Sequence, residues 1–169
     1  MKEKIRLYRE NHKMNMERMN EIYGEIGQEI ANIAPESWEK VYVYVRMKKE
    51  SGTVMPFYIE GKNIVNVDKP YELWELFNEY YMEFINSGEE PWIIATFIMD
   101  GEGEFNIELD YKKRELNSME LSIMWEYKYL GIEPHEQFSY IVEFYKKEEE
   151  EAKYEERGRG VDFVKRARG

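Results

Sequence analysis

Residues 92–111 read WIIATFIMDGEGEFNIELDY, and their pattern decides the fold. Trp92–Met99 is nearly continuous apolar sequence, as expected of a strand that lies inside a sheet and is buried on both faces. Asp100–Gly103 (DGEG) supplies turn residues, after which the pattern switches to a strict period of two. Phe105, Ile107, Leu109 and Tyr111 fall on one face of the return strand, while Glu104, Asn106, Glu108 and Asp110 fall on the other. An apolar strand, a tight turn and an alternating strand make an antiparallel hairpin with one face toward a core.

Upstream, Val41–Lys48 (VYVYVRMK) is rich in β-branched and aromatic residues and predicts a strand with Val41, Val43 and Val45 on one side. A turn over Lys49–Gly52 leads to a partner strand at Thr53–Glu60, where Pro56 predicts a sheet edge or a bulge. Asn63–Val67 adds a short third strand. Helices frame these strands. Ile22, Ile26, Ile30 and Ile33 form one amphipathic stripe that ends at Pro35. Pro70 opens a middle helix, with Asp68 as a candidate cap and Leu73, Leu76, Phe77, Tyr80 and Phe84 as its apolar face. Residues 112–122 read as a polar connection, and Phe138, Ile141, Val142 and Tyr145 begin a final helix that Glu148–Glu151 carry into solvent. The fold expected is α+β: a single domain with an antiparallel sheet of about five strands, packed by N-terminal, middle and C-terminal helices. It divides into an extension at 1–18, a body at 19–156 and a basic, flexible tail at 157–169.

Composition bounds the chemistry. At 169 residues and 43% hydrophobic, the chain can bury a core of its own and is too apolar for a disordered protein. It contains no cysteine, which excludes disulfides, a thiol nucleophile and Cys-based zinc sites. The N-terminus MKEKIRLYRENHK has no secretory apolar run, and no stretch approaches the ~18 apolar residues of a spanning helix. The expectation is a cytoplasmic protein without membrane attachment. Its net charge of −11 is unevenly spread: six basic and three acidic residues occupy 1–18, five and one occupy 157–169, and 13 and 31 occupy the body. So acidic a body repels nucleic-acid backbones and attracts basic partners through long-range steering, although the same charges also serve plain solubility.

Catalytic motifs are missing. His12 and His135 are the two histidines, neither has a neighbour at ligand spacing, and no G-x-S-x-G elbow accompanies them. No phosphate-binding G-x-x-x-x-G-K-[ST] occurs, and Gly101 and Gly103 lie in a hairpin instead of a strand-to-helix junction. Asp100, Glu102 and Glu104 imitate the first positions of a calcium loop, but Phe105 replaces its obligatory glycine and Tyr111 its bidentate glutamate. No catalytic residue, cofactor or metal is assigned. With 35 acidic residues, paired carboxylates alone single out no acid/base site. A surface remains: outward residues repeat at roughly 6.5–7 Å along a strand, so Glu104, Glu108 and Asp110 form an acidic row that faces either a basic partner or solvent. The aromatic-rich segment Ile123–Pro134 (IMWEYKYLGIEP) places Trp125 and Leu130 in the core and leaves Glu126 and Lys128 as candidate surface contacts.

Three segments together resemble the YezG-like immunity proteins of bacterial toxin systems: MNEIYGEIGQEIANIAPESWEKVYVYV at Met19–Val45, EPWIIATFIMDGEGEFNIELDY at Glu90–Tyr111, and IMWEYKYLGIEP at Ile123–Pro134. The EPW start and WEYKYLGI are the most specific pieces. The resemblance implies a non-enzymatic cytoplasmic antitoxin that binds the toxic C-terminal domain, usually a nuclease, of a polymorphic toxin carried by a type VII-like secretion system. It assigns no contact residues, so Glu104, Glu108, Asp110, Glu126 and Lys128 rest on the physical reading alone. An acidic adaptor or nucleic-acid mimic for an endogenous basic protein is the alternative, followed by an enzyme acting through two carboxylates.

Overall fold

A computed structural model describes the backbone of residues 2–48 and 51–168 and the side chains of residues 16–48 and 51–155. The chain forms two compact units, Met1–Lys113 and Arg114–Gly169. The fold class is α+β, as expected.

The first unit opens with helix α1 (Lys2–Asn32). Strands β1 (Lys40–Lys48), β2 (Ser51–Glu60) and β3 (Asn63–Asn66) follow, then helix α2 (Tyr71–Asn86) and strands β4 (Ile94–Asp100) and β5 (Phe105–Asp110). The five strands lie in the order β3-β2-β1-β4-β5, and each neighbouring pair is antiparallel. Sheet alternation turns Val41, Val43 and Val45 of β1 and Ala95, Phe97 and Met99 of β4 toward one core. That core is completed by Ile22, Ile26 and Ile30 of α1 and by Leu73, Phe77, Tyr80 and Phe84 of α2. All three isoleucines are fully buried, each contributing ~1.5–3 kcal/mol by area removed from water. Between the helices, Arg18 forks onto Glu79 with bonds of 2.7 and 2.8 Å.

Strand β4 lies between β1 and β5 and is buried from Ile94 to Phe97, in accord with its apolar sequence. Three local expectations change. Pro56 stands on an interior strand without a bulge, opposite Val43. Its carbonyl accepts from Val67 N at 3.3 Å on the β3 side, so its nitrogen points the same way, just past the end of β3 where no ladder bond is lost. The cap of α2 is Pro70 with no side-chain bond, so Asp68 does not cap it. Phe105 and Tyr111 are 45% and 41% exposed, because β5 is the sheet edge, where Ile107 and Leu109 pack more fully on the core. The expected turn residues Lys49 and Glu50 lie outside the described residues. The 1–18 extension and the 157–169 tail lie largely beyond the described side chains.

The second unit contains helix α3 (Ser118–Leu130), a 3-10 turn at Glu136–Phe138 and helix α4 (Ser139–Arg168). The polar connection expected at 112–122 is therefore partly helical. Asn117 and Glu120 form a reciprocal capping box, with bonds of 2.8 and 2.9 Å, and Gly131 ends the helix at φ 66°. Tyr140 of α4 donates to Glu120 Oε2 at 2.6 Å, so one carboxylate both caps α3 and ties it to α4. Arg114 and Glu148 are paired through bonds of 2.8–3.0 Å with side chains only 6% and 13% exposed. Trp125 is buried, as its apolar area led one to expect.

Candidate functional site

The acidic hairpin is built by its own turn chemistry. Asp100 Oδ1 accepts from the backbone N–H of Glu102 and of Glu104, both at 3.0 Å, so this carboxylate closes the loop. Gly103, at φ 91°, takes a conformation that other residues rarely adopt. Gly101 N donates to Glu39 O at 3.0 Å and anchors the loop to the start of β1. Glu102 and Glu104 are thereby held exposed, and neither carboxylate has a partner among the described residues.

Glu104 precedes β5 and belongs to the turn, whereas Glu108 and Asp110 lie within the strand, opposite Thr96 and Ile94. Glu108 is exposed; Asp110 is half-buried, and its Oδ1 accepts from Lys112 N at 2.9 Å. The sequence row is thus one hairpin edge with a rigid tip. Glu102 is the acidic neighbour the alternation did not single out, because it sits in the turn and has no strand parity.

Glu126 and Lys128 lie together on α3, in the second unit. Glu126 is half-buried, burial holds its carboxyl above the usual carboxylate range, and the described residues supply its side chain with no partner. Lys128 is exposed, with Nζ 5.2 Å from the Tyr129 ring centroid.

Beside the hairpin tip, a cavity of about 390 Å³ runs between α1 and the β4–β5 turn. Tyr23, Trp38 and Phe105 supply its aromatic walls, Gly24 and Gly27 lie on its helix side, and Glu102 stands on the hairpin side. The Phe105 ring stacks on Phe97 at 5.0 Å and lies 6.1 Å from Tyr23. This arrangement was not foreseen, since it forms only when β4 pairs with β1 and carries the hairpin to α1.

Two groups that could serve acid/base chemistry have structural surroundings. His135 Nδ1 accepts from Gln137 N at 3.3 Å and caps the 3-10 turn, while the His12 side chain lies outside the described residues. Glu29 is held above the usual carboxylate range by burial first and by the charge of Glu72 second, and both sit where α1 meets α2. Among the described residues no group of three or more His, Cys, Asp or Glu is placed to hold a metal ion. No helix among them is long and apolar enough to cross a membrane.

An α+β scaffold that presents an acidic hairpin edge beside an aromatic groove has the makings of a protein-binding surface. The chain belongs to the YezG-like immunity protein family, which matches residues 19–143. It is 31% identical over 140 residues to "Immunity protein YezG" of Bacillus subtilis, covering 70% of this chain and 92% of that one. The protein of the same name from Bacillus spizizenii is 29% identical over 141 residues, covering 72% and 88%. "Type VII secretion system protein EsaG" of Staphylococcus aureus is 28% identical over 142 residues, covering 72% and 87%.

Proposed function

We propose that this chain is a cytoplasmic, non-enzymatic antitoxin that binds the toxic C-terminal nuclease domain of a cognate secreted toxin and occludes or distorts its active site. The observation that carries the reading is the family match, which runs from residue 19 in the first compact unit to residue 143 in the second. The name of the staphylococcal relative supports a link to type VII secretion. A nuclease domain that grips a phosphate backbone is basic, and a body with 13 basic against 31 acidic residues complements it.

In this reading Glu104, Glu108 and Asp110 of the hairpin and Glu126 and Lys128 of α3 contribute to the interface. Charge-assisted hydrogen bonds to arginine and lysine supply register, and desolvated aromatic contacts supply slow dissociation. The binding body is residues 19–156. Co-expression with a candidate toxin domain, taken from any toxin gene found to adjoin the gene for this chain, tests the reading: growth should be rescued and a complex should co-purify. Failure of both would remove that toxin as the partner.

A further inference from the structure

The groove beside the hairpin tip contains two residues that the described fold does not require. Gly24 and Gly27 lie well inside α1 (Lys2–Asn32), where glycine weakens a helix relative to alanine. Sterics do not explain them. A Cβ built at Gly24 meets nothing within 4 Å, and one at Gly27 meets only Met99 Sδ at an ordinary 3.8 Å. Neither has the positive φ found at Gly61, Gly88, Gly103 and Gly131. A local rule is broken without compensation inside the described structure, and such departures gather at functional positions. What the missing side chains do provide is open space in the cavity of about 390 Å³.

The walls say what that space suits. Tyr23, Trp38 and Phe105 offer aromatic surface, and Phe105 stays 45% exposed although its ring stacks on Phe97. Glu102 stands at the hairpin side with its carboxylate unpartnered among the described residues, and its backbone N–H is held by Asp100 Oδ1. A long apolar stem, a flat cation able to stack on aromatic faces and a fork of donors for a carboxylate describe arginine better than lysine. The volume is at the small end of the ~300–1,000 Å³ typical of ligand pockets, suited to one or two side chains and not to a whole helix.

We infer that this groove seats an arginine side chain projected from the basic surface of the partner toxin, and that Gly24 and Gly27 keep it open. The inference rests on the antitoxin reading above and gives it a specific contact. The test uses the full chain, the candidate toxin domain that rescues growth in the co-expression experiment, and N-acetyl-arginine amide as a small probe. Gly24→Leu fills the groove from a position with free space, and its thermal midpoint should equal or exceed the parent's. Its affinity for the toxin domain should fall at least tenfold. Glu102→Gln, on an exposed turn residue whose backbone makes the loop bond, should fall at least threefold and covers the case in which Gly24→Leu misfolds. In nuclear magnetic resonance titrations the arginine probe should shift the amides of Gly24, Gly27 and Gly103 in the parent but not in Gly24→Leu.

If the parent binds the toxin domain and both variants bind within twofold of it, the groove proposal is overturned and the antitoxin reading stands. If the parent does not bind the toxin domain, that toxin is removed as the partner. The probe titration then decides the groove alone: shifts lost in Gly24→Leu support it, and their absence in the parent overturns it.

Discussion

Two forked Arg–Glu pairs in this chain have nearly the same geometry and very different burial, so substituting each glutamate by glutamine separates geometry from desolvation. Arg114–Glu148 is held at 2.8–3.0 Å with side chains 6% and 13% exposed. Arg18–Glu79 is held at 2.7–2.8 Å, but its side chains are 32% and 41% exposed, and Glu21 and Glu25 also contact the guanidinium. Glu148→Gln removes a carboxylate from an almost buried guanidinium. Breaking such a pair costs ~3–5 kcal/mol, and the slight exposure of Glu148 places the expected loss at ~2–4 kcal/mol. Glu79→Gln removes one of the three carboxylates that the described residues supply to a hydrated cation and should cost ~1 kcal/mol or less.

A pH signature accompanies the weaker pair. The hydrogen bonds from Arg18 hold the Glu79 carboxyl below the usual carboxylate range. Its contribution is therefore present above the unfolded-state pKa and lost as pH falls through the lower folded-state value. Urea denaturation followed by circular dichroism, at neutral pH for both variants and across the acid range for Glu79→Gln, supplies the comparison. Equal losses for the two variants at neutral pH would refute the claim that burial ranks these pairs.

Removing the α3 cap by Asn117→Ala should destabilise the chain by ~1 kcal/mol in the same denaturation assay, because the Glu120 N–H loses its acceptor. Glu29→Gln should stabilise it at pH 7: burial and then Glu72 raise the Glu29 pKa, so stability present at low pH is lost as pH rises through the folded-state value. That gain should shrink as pH is lowered, as read from thermal midpoints at several pH values. Association with the toxin domain, measured by stopped flow, should slow steeply between low salt and ~0.15 M ionic strength while dissociation changes little; salt-independent association would remove the steering component.

The parts legible in the sequence are those set by short-range periodicity. The isoleucine stripe of α1 and the DGEG hairpin announce themselves because one face of each is dry and the other wet. Non-local order is less visible. Nothing in the sequence placed β5 at the edge, so Phe105 and Tyr111 read as inward residues although each remains more than 40% exposed. Pro56 looked like an edge residue, and it is tolerated inside the sheet only because β3 ends beside it. Helix α3 was missed for another reason. The alternating aromatics Trp125, Tyr127 and Tyr129 obscure helical periodicity, while the available signal, Asn117 three residues before Glu120, lies in a segment that otherwise reads as loop. Of the candidate surface, the acidic strand was legible. The aromatic groove was not, since its walls come from α1, the segment before β1 and the β4–β5 hairpin.

The central claim is that this chain acts by stoichiometric binding. Titrating it against a fixed concentration of its candidate toxin domain, with toxin activity as the readout, is the most direct measurement. Activity should fall linearly to zero at one equivalent and stay there. Complete inactivation by a small fraction of an equivalent would indicate turnover, and undiminished activity at tenfold excess would show that this toxin is not its target; either result contradicts the account.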